Sequence, residues 1–356
     1  MKPILTHLLV LAFGIAVAVF LRPDSEEYHQ PSGQTQKHAR ADRGTGDPAS
    51  RHDTRPNRER YMEEISRQVS ASDFDQWLLS MADDPHALAE AKATVGLLTR
   101  NPDLIREALA MDPDNPQLLY IGSTLSSYSD AERLGLAERF FKQDPENGLA
   151  AYLYAERLLA TGDQKAGLDI LRNATERQGM DDFSNPMGLL YEDAFLAAGY
   201  SRAAAKVKAL TDLSMGYYTG ISRMAKSLNG MASSLPAGEA SEINSLAASI
   251  GRRIGEQMSP GTIMSGLVGL KLEAETLAGF PDDAPSPYQG LTVGEARQSI
   301  VDERSEILRF AQKAPDLGTI LSGDPELASR YVDRVRLLGE VEAAKWWMSV
   351  NKAANE

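Results

Sequence analysis

The residues from Ile4 to Leu21 (ILTHLLVLAFGIAVAVFL) form an apolar run broken only by Thr6 and His7. About 17 to 25 such residues span a bilayer as a helix, so residues 1–22 read as a transmembrane signal anchor or a signal peptide. Ala16-Val17-Ala18 offers a small-residue cleavage site, after which the body would be secreted. Val19-Phe20-Leu21 carry the run past that point and favour an uncleaved anchor. Lys2 on one flank and Asp24, Glu26 and Glu27 on the other predict an inside N-terminus and a periplasmic, or otherwise extracytoplasmic, body. Residues 23–60 are Pro, Gly, Ser, Gln, Asp, Arg and His with almost no large apolar side chain after Tyr28. Such a stretch cannot offset its ordering entropy and is expected to be a disordered linker.

From Tyr61 onward the pattern changes to helical spacing, as in Leu149, Tyr152, Leu153, Glu156 and Leu159, or Leu327, Tyr331, Val335, Leu338 and Val341. Ala, Leu, Glu, Arg and Met dominate, and an all-α body follows. Within it, Asp112-Pro113-Asp114-Asn115 recurs 32 residues later as Asp144-Pro145-Glu146-Asn147. The Asp-Pro pair stops one helix, and the Asp or Asn behind it caps the next. Helices are expected over residues 118–128 and 131–143, then 149–163 and 165–179, with turns at Ser129-Asp130 and Gly162-Asp163. Weaker units flank these at Pro85 to Met111 and at Pro186 to Leu213, the latter turning at Gly199-Tyr200. After Leu213 longer segments are expected: Ser201 to Leu235, Glu239 to Met258, Pro260 to Ala278, Leu291 to Ala314 and Pro325 to Asn351, with Gly279 to Gln289 a Pro-rich loop.

This layout resembles the tetratricopeptide repeat, whose period is about 34 residues. Matching that family's turn to Gly162-Asp163 puts Ala155 at its small helix-contact position, Ala166 close to a second, and Gly122 at the same place in the preceding unit. The family's Trp-Leu-Gly-Tyr signature is absent. The resemblance, carried by roughly Pro85 to Leu213, implies a hairpin solenoid in a repeat region put at 61–213, and the change of pattern beyond it reads as a C-terminal helical domain over 214–356. It also implies that the first helix of each hairpin lines a concave groove. In that register Tyr152 and Glu156 face the groove and the neighbouring hairpin adds Asp193, a mildly acidic surface for a protein segment carrying a basic residue.

Charge and missing residue types narrow the function. The 50 acidic side chains outnumber 37 basic ones, and the excess lies in the body, which disfavours nucleic acid as a partner. With no cysteine, and with four of the five histidines before residue 60, the body keeps one histidine and lacks the residues for thiol or multi-histidine metal chemistry, with no motif that would place a Ser-His-Asp site. No cofactor or metal is expected. Ser349-Val350-Asn351-Lys352 fits S-x-x-K without any companion motif. Gly216-x-x-x-Gly220 and Gly251-x-x-x-Gly255 point to close helix packing within the chain, and the methionines to core filling. Of Trp346-Trp347, one ring is expected inside and one near the surface. The resulting expectation is a membrane-tethered or exported scaffold for protein–protein interaction, assembly of an envelope complex included. Its alternative is a carboxylate enzyme that cleaves envelope glycans with a single buried Glu.

Overall fold

The computed structural model describes residues 57–174, 179–213, 216–257, 261–278, 280–288 and 290–355. The expected membrane or signal segment and residues 23–56 of the linker lie outside them. Residues 57–60, assigned to the linker above, instead open helix α1, because Tyr61 and Ile65 behind them are drawn into the core. Among the described residues every regular element is helical. None of their helices is long and apolar enough to cross a membrane.

The elements in order are α1 (Asn57–Ser66), a 3-10 turn (Ala71–Phe74), α2 (Asp75–Ser80), α3 (Pro85–Thr99) and α4 (Pro102–Met111). Next come α5 (Pro116–Thr124), α6 (Asp130–Gln143), α7 (Gly148–Ala160), α8 (Gln164–Ala174), α9 (Ser184–Ala197) and α10 (Arg202–Asp212). The remainder are α11 (Tyr217–Ser233), α12 (Ala237–Gln257), α13 (Ile263–Leu277), α14 (Val293–Lys313), α15 (Leu317–Gly323), α16 (Pro325–Leu338) and α17 (Glu340–Asn355).

Four helix starts follow one rule. Asp84, Asn101, Asn115 and Asp324 each accept a first-turn N–H through the side chain, and a proline occupies the first helical position behind each. Proline has no N–H to leave unsatisfied there, so the pair is a starter. Asp324-Pro325 therefore opens the helix expected from Pro325 onward. The 32-residue recurrence is also a recurrence of bonds. Asn115 Nδ2 donates to Asp112 Oδ2 and Asn147 Nδ2 to Asp144 Oδ2, both at 3.0 Å, and each Asn Oδ1 caps the helix that follows. Gly162 and Gly199 take φ of 90° and 83°, the left-handed conformation that ends α7 and α9 at the two expected turns.

Helices pair as α3/α4, α5/α6, α7/α8 and α9/α10, and α4 packs on α5 and α6 on α7, giving a row of three hairpins. Small residues set the spacing. A Cβ on Gly122 would come 2.8 Å from Leu136, and one on Gly167 would come 2.8 Å from Leu159. The second close contact in the α7/α8 hairpin thus falls at Gly167, one residue beyond the expected Ala166.

The fourth hairpin leaves the row. α9 packs on α2 and α3, α10 packs on α1 and α16, and α11 takes the place beside α7. Followed from neighbour to neighbour, the contacts run α3, α4, α5, α6, α7, α11, α12, α13, α14, α17, α16, α10, α9 and back to α3, a closed circuit. Residues Thr54–Glu356 form one compact unit, so the boundary expected at residue 213 does not part the packing. Two long helices expected from sequence are each divided: α10 ends at Asp212 before α11, and Gly339, at φ 84°, separates α16 from α17. The Gly339 N–H caps Val335, and Glu340 N donates to Gly261 O at 3.0 Å, pinning the start of α17 to the start of α13. Short α15, capped by Asp316, has no counterpart in the sequence expectation.

Candidate functional site

The α7 helix carries two charged residues on its buried stripe. Arg157 continues the row Leu149, Leu153 at i+4 spacing, and Glu156 lies beside it. Both are buried, Glu156 at 2% exposure and Arg157 at 5%. They are covered by α11, whose start approaches α5 so closely that a Cβ on Gly216 would lie 3.2 Å from Thr124. A capping box between Ser129 and Glu132 fixes the first turn of α6 and aims Asp130 and Arg133 at the same place.

These elements enclose a cleft of about 270 Å³. Three guanidiniums reach its wall: Arg133 from α6, Arg157 from α7 and Arg223 from α11. Arg223 Nε donates to Glu156 Oε1 at 3.0 Å, and Arg157 Nε lies 2.8 Å from Glu156 Oε2 in an ion contact without hydrogen-bond alignment. Arg133 donates to Asp130, whose carboxylate is also 3.6 Å from Arg157 Nη1. The Nε groups of Arg133 and Arg157 are enclosed and bond to nothing. Burial lowers the Arg157 pKa from the usual arginine range; Glu156 opposes that fall, while Arg133 and Arg223 add to it. Leu97, Ile121, Leu125, Leu153 and Met187 form the apolar part of the wall. With three cations against two carboxylates, the cleft is cationic in an otherwise acidic protein.

This corrects the expected groove in position and in sign. Tyr152 is fully buried, and its hydroxyl accepts from Arg253 Nη1 at 3.0 Å; burial raises its pKa, against the pull of Arg253. Glu156 is neutralised between Arg157 and Arg223. Asp193 sits exposed on α9, away from this cleft's wall; partial desolvation by its neighbours raises its pKa, aided by Glu192 and opposed by Arg336. The three residues thus share no open acidic face, because α11 occupies the side of α7 that a continuing hairpin row would have left free. The three arginines escaped notice because they sit on three separate helices. The signal within reach was Arg157, a cation on an apolar stripe.

A second cleft of about 550 Å³ lies between the α7/α8 and α11/α12 pairs, where Arg172 Nε meets Glu242 Oε1 at 2.8 Å. Asp181, Asp182, Glu273 and Glu340 are raised in pKa chiefly by burial, and none of them lines the two clefts. The Ser349 hydroxyl donates to Trp346 O. Trp346 and Trp347 are both half-buried, one under Arg334 and the other edge-on to Tyr331, which corrects the expected division of one in and one out. The chain matches no protein-family model, no curated protein and no solved structure.

Proposed function

We propose that this chain is a helical scaffold that binds other proteins, its body built on a tetratricopeptide-like hairpin solenoid. In this proposal residues 1–22 tether it to a membrane or export it, with the body on the extracytoplasmic side, and assembly of an envelope complex is the role. The observation that carries the reading is the row α3–α8, in which the Asp112/Asn115 and Asp144/Asn147 bonds repeat with the sequence period. Rows of such hairpins present side chains from successive units along a continuous surface, the geometry by which repeat proteins engage extended partners. The acidic excess of the body favours partners with basic or neutral surfaces over nucleic acid.

The test is affinity purification of the tagged full chain from detergent-solubilised membranes, with quantitative mass spectrometry of what accompanies it. The scaffold reading expects the chain in the membrane fraction, or in the exported fraction as its cleaved form, with one or a few proteins recovered in fixed ratio. Recovery of the chain alone, in the cytoplasmic fraction, contradicts it.

A further inference from the structure

Arg157 is the unusual group of this molecule. Its side chain is 6% exposed, it lines a cleft, and its contacts with Glu156 and Asp130 are ion contacts with no hydrogen bond to either. The enclosed donor is Nε, which has no aligned acceptor, and leaving an enclosed donor unmade costs more than a typical hydrogen bond contributes. Arg133, beside it, has an enclosed Nε in the same condition. A fold that holds two such groups at one cavity is short of acceptors there, and a bound anion supplies them.

We propose that the cleft between α5, α6, α7 and α11 is a binding site for a carboxylate carried on an apolar body. Three features select this chemistry. The charge excess is a single positive unit, three guanidiniums against Glu156 and Asp130, so a monoanion balances it where a phosphate dianion overshoots. The planar guanidinium fork matches a carboxylate in two parallel hydrogen bonds. Apart from the arginines the wall mixes Leu97, Ile121, Leu125, Leu153 and Met187 with Tyr120 and the hydroxyls of Thr124, Ser126 and Thr219, and its aliphatic part suits an alkyl chain or an aliphatic side chain. A volume of about 270 Å³ has room for roughly nine water-sized groups, the size of an eight-carbon acid or one terminal leucine residue. Two sources offer this chemistry, a free medium-chain carboxylic acid and the C-terminus of a polypeptide ending in an apolar residue. The site does not depend on the scaffold reading, since the cleft is built from the folded body alone.

The experiment is calorimetric titration of the full chain with four probes at low ionic strength: octanoate, octanamide, N-acetyl-Ala-Ala-Leu with a free carboxylate, and the same peptide amidated. At least one acid binds and its amide does not, and the tighter of the two acids identifies the source. Arg223→Ala, at a half-exposed position, weakens the acid about tenfold or more, the loss expected for one charged hydrogen bond. Glu156→Gln keeps the side-chain shape but frees Arg157 and Arg223 from their competitor, so it tightens the acid; a purely structural cluster would not respond this way. Circular dichroism confirms that each variant is folded. Equal binding of acid and amide, failure of both acids to bind the folded chain, or an Arg223→Ala affinity equal to wild type overturns the proposal.

Discussion

The two halves of the body are held together by different means. In the row α3–α8 the helix starts are written into the local sequence: Asp84, Asn101, Asn115 and Asn147 accept first-turn N–H groups with proline or glycine directly behind, Ser129 and Glu132 form a capping box, and Asp163 accepts from Ala166 N. From α11 onward local caps persist at Thr262, Thr292, Asp316 and Asp324, but the closest contacts join residues far apart. Gly251 and Gly255 on α12 meet Gly269 on α13 so closely that a Cβ on Gly269 would come 2.5 Å from Gly251 O and 2.8 Å from Gly255 N. The Tyr218 hydroxyl reaches Thr262 at 3.1 Å, and Ile263 N donates to Glu340 at 2.7 Å. A half built from local signals tolerates change between its caps. A half built from backbone approach concentrates its sensitivity at a few glycines.

The sharpest way to break this contrast is Gly269→Ala. Its new methyl meets backbone on the facing helix, which cannot rotate aside, so a destabilisation of about 3 kcal/mol is expected in urea unfolding. Next in size is Asn147→Ala in the hairpin row. Asn147 is 4% exposed and makes four bonds: to Asp144 Oδ2, to Asp181 O and N, and to the Leu149 N–H. Loss of a cap whose partners are enclosed is expected to cost about 2 kcal/mol by the same measurement.

A third variant reads pH. Burial raises the Asp182 pKa, with Asp181 adding to the rise and hydrogen bonds from Ser184 opposing it. The unfolded chain releases this proton near the ordinary value of about 3.9. The stability tied to the protonated form is therefore fully present below that value and is lost as pH rises through the higher folded pKa. Asp182→Asn retains the oxygen that accepts from Ser184 N at 3.0 Å and removes the charge. Its melting temperature relative to wild type is expected to climb as pH goes from about 3.9 toward neutrality, and a difference independent of pH contradicts the assignment. Smallest is Gly135→Ala, on an open face of α6 where a Cβ meets nothing within 4 Å. It is expected to stabilise by about 0.5 kcal/mol. Opposite signs for two glycine-to-alanine changes, one in each half, put the comparison in a single experiment.

The same division explains what could be read from the chain. Helix positions in the row, the turns at Gly162 and Gly199 and the recurrence at Asn115 and Asn147 were legible because capping is decided within a few residues. The departure of α9/α10 from the row was not, since it depends on which surfaces α3 and α16 leave open. The break at Gly339 likewise depends on Gly261, whose carbonyl oxygen lies 2.4 Å from where a Cβ at 339 would stand. The candidate site was legible only in part. Residue 156 was singled out from the register of α7, but its sign and accessibility were set by α11, which brings Arg223 from 67 residues away.

That joining of α7 to α11 is the central structural claim, because the arginine cleft takes Arg157 from one side of residue 213 and Arg223 from the other. Scanning calorimetry of the full chain in mild detergent tests it most directly. One body predicts a single transition with equal calorimetric and van't Hoff enthalpies, shifted as a whole to lower temperature by Gly269→Ala. Two resolved transitions, with Gly269→Ala moving one and leaving the other in place, would contradict it.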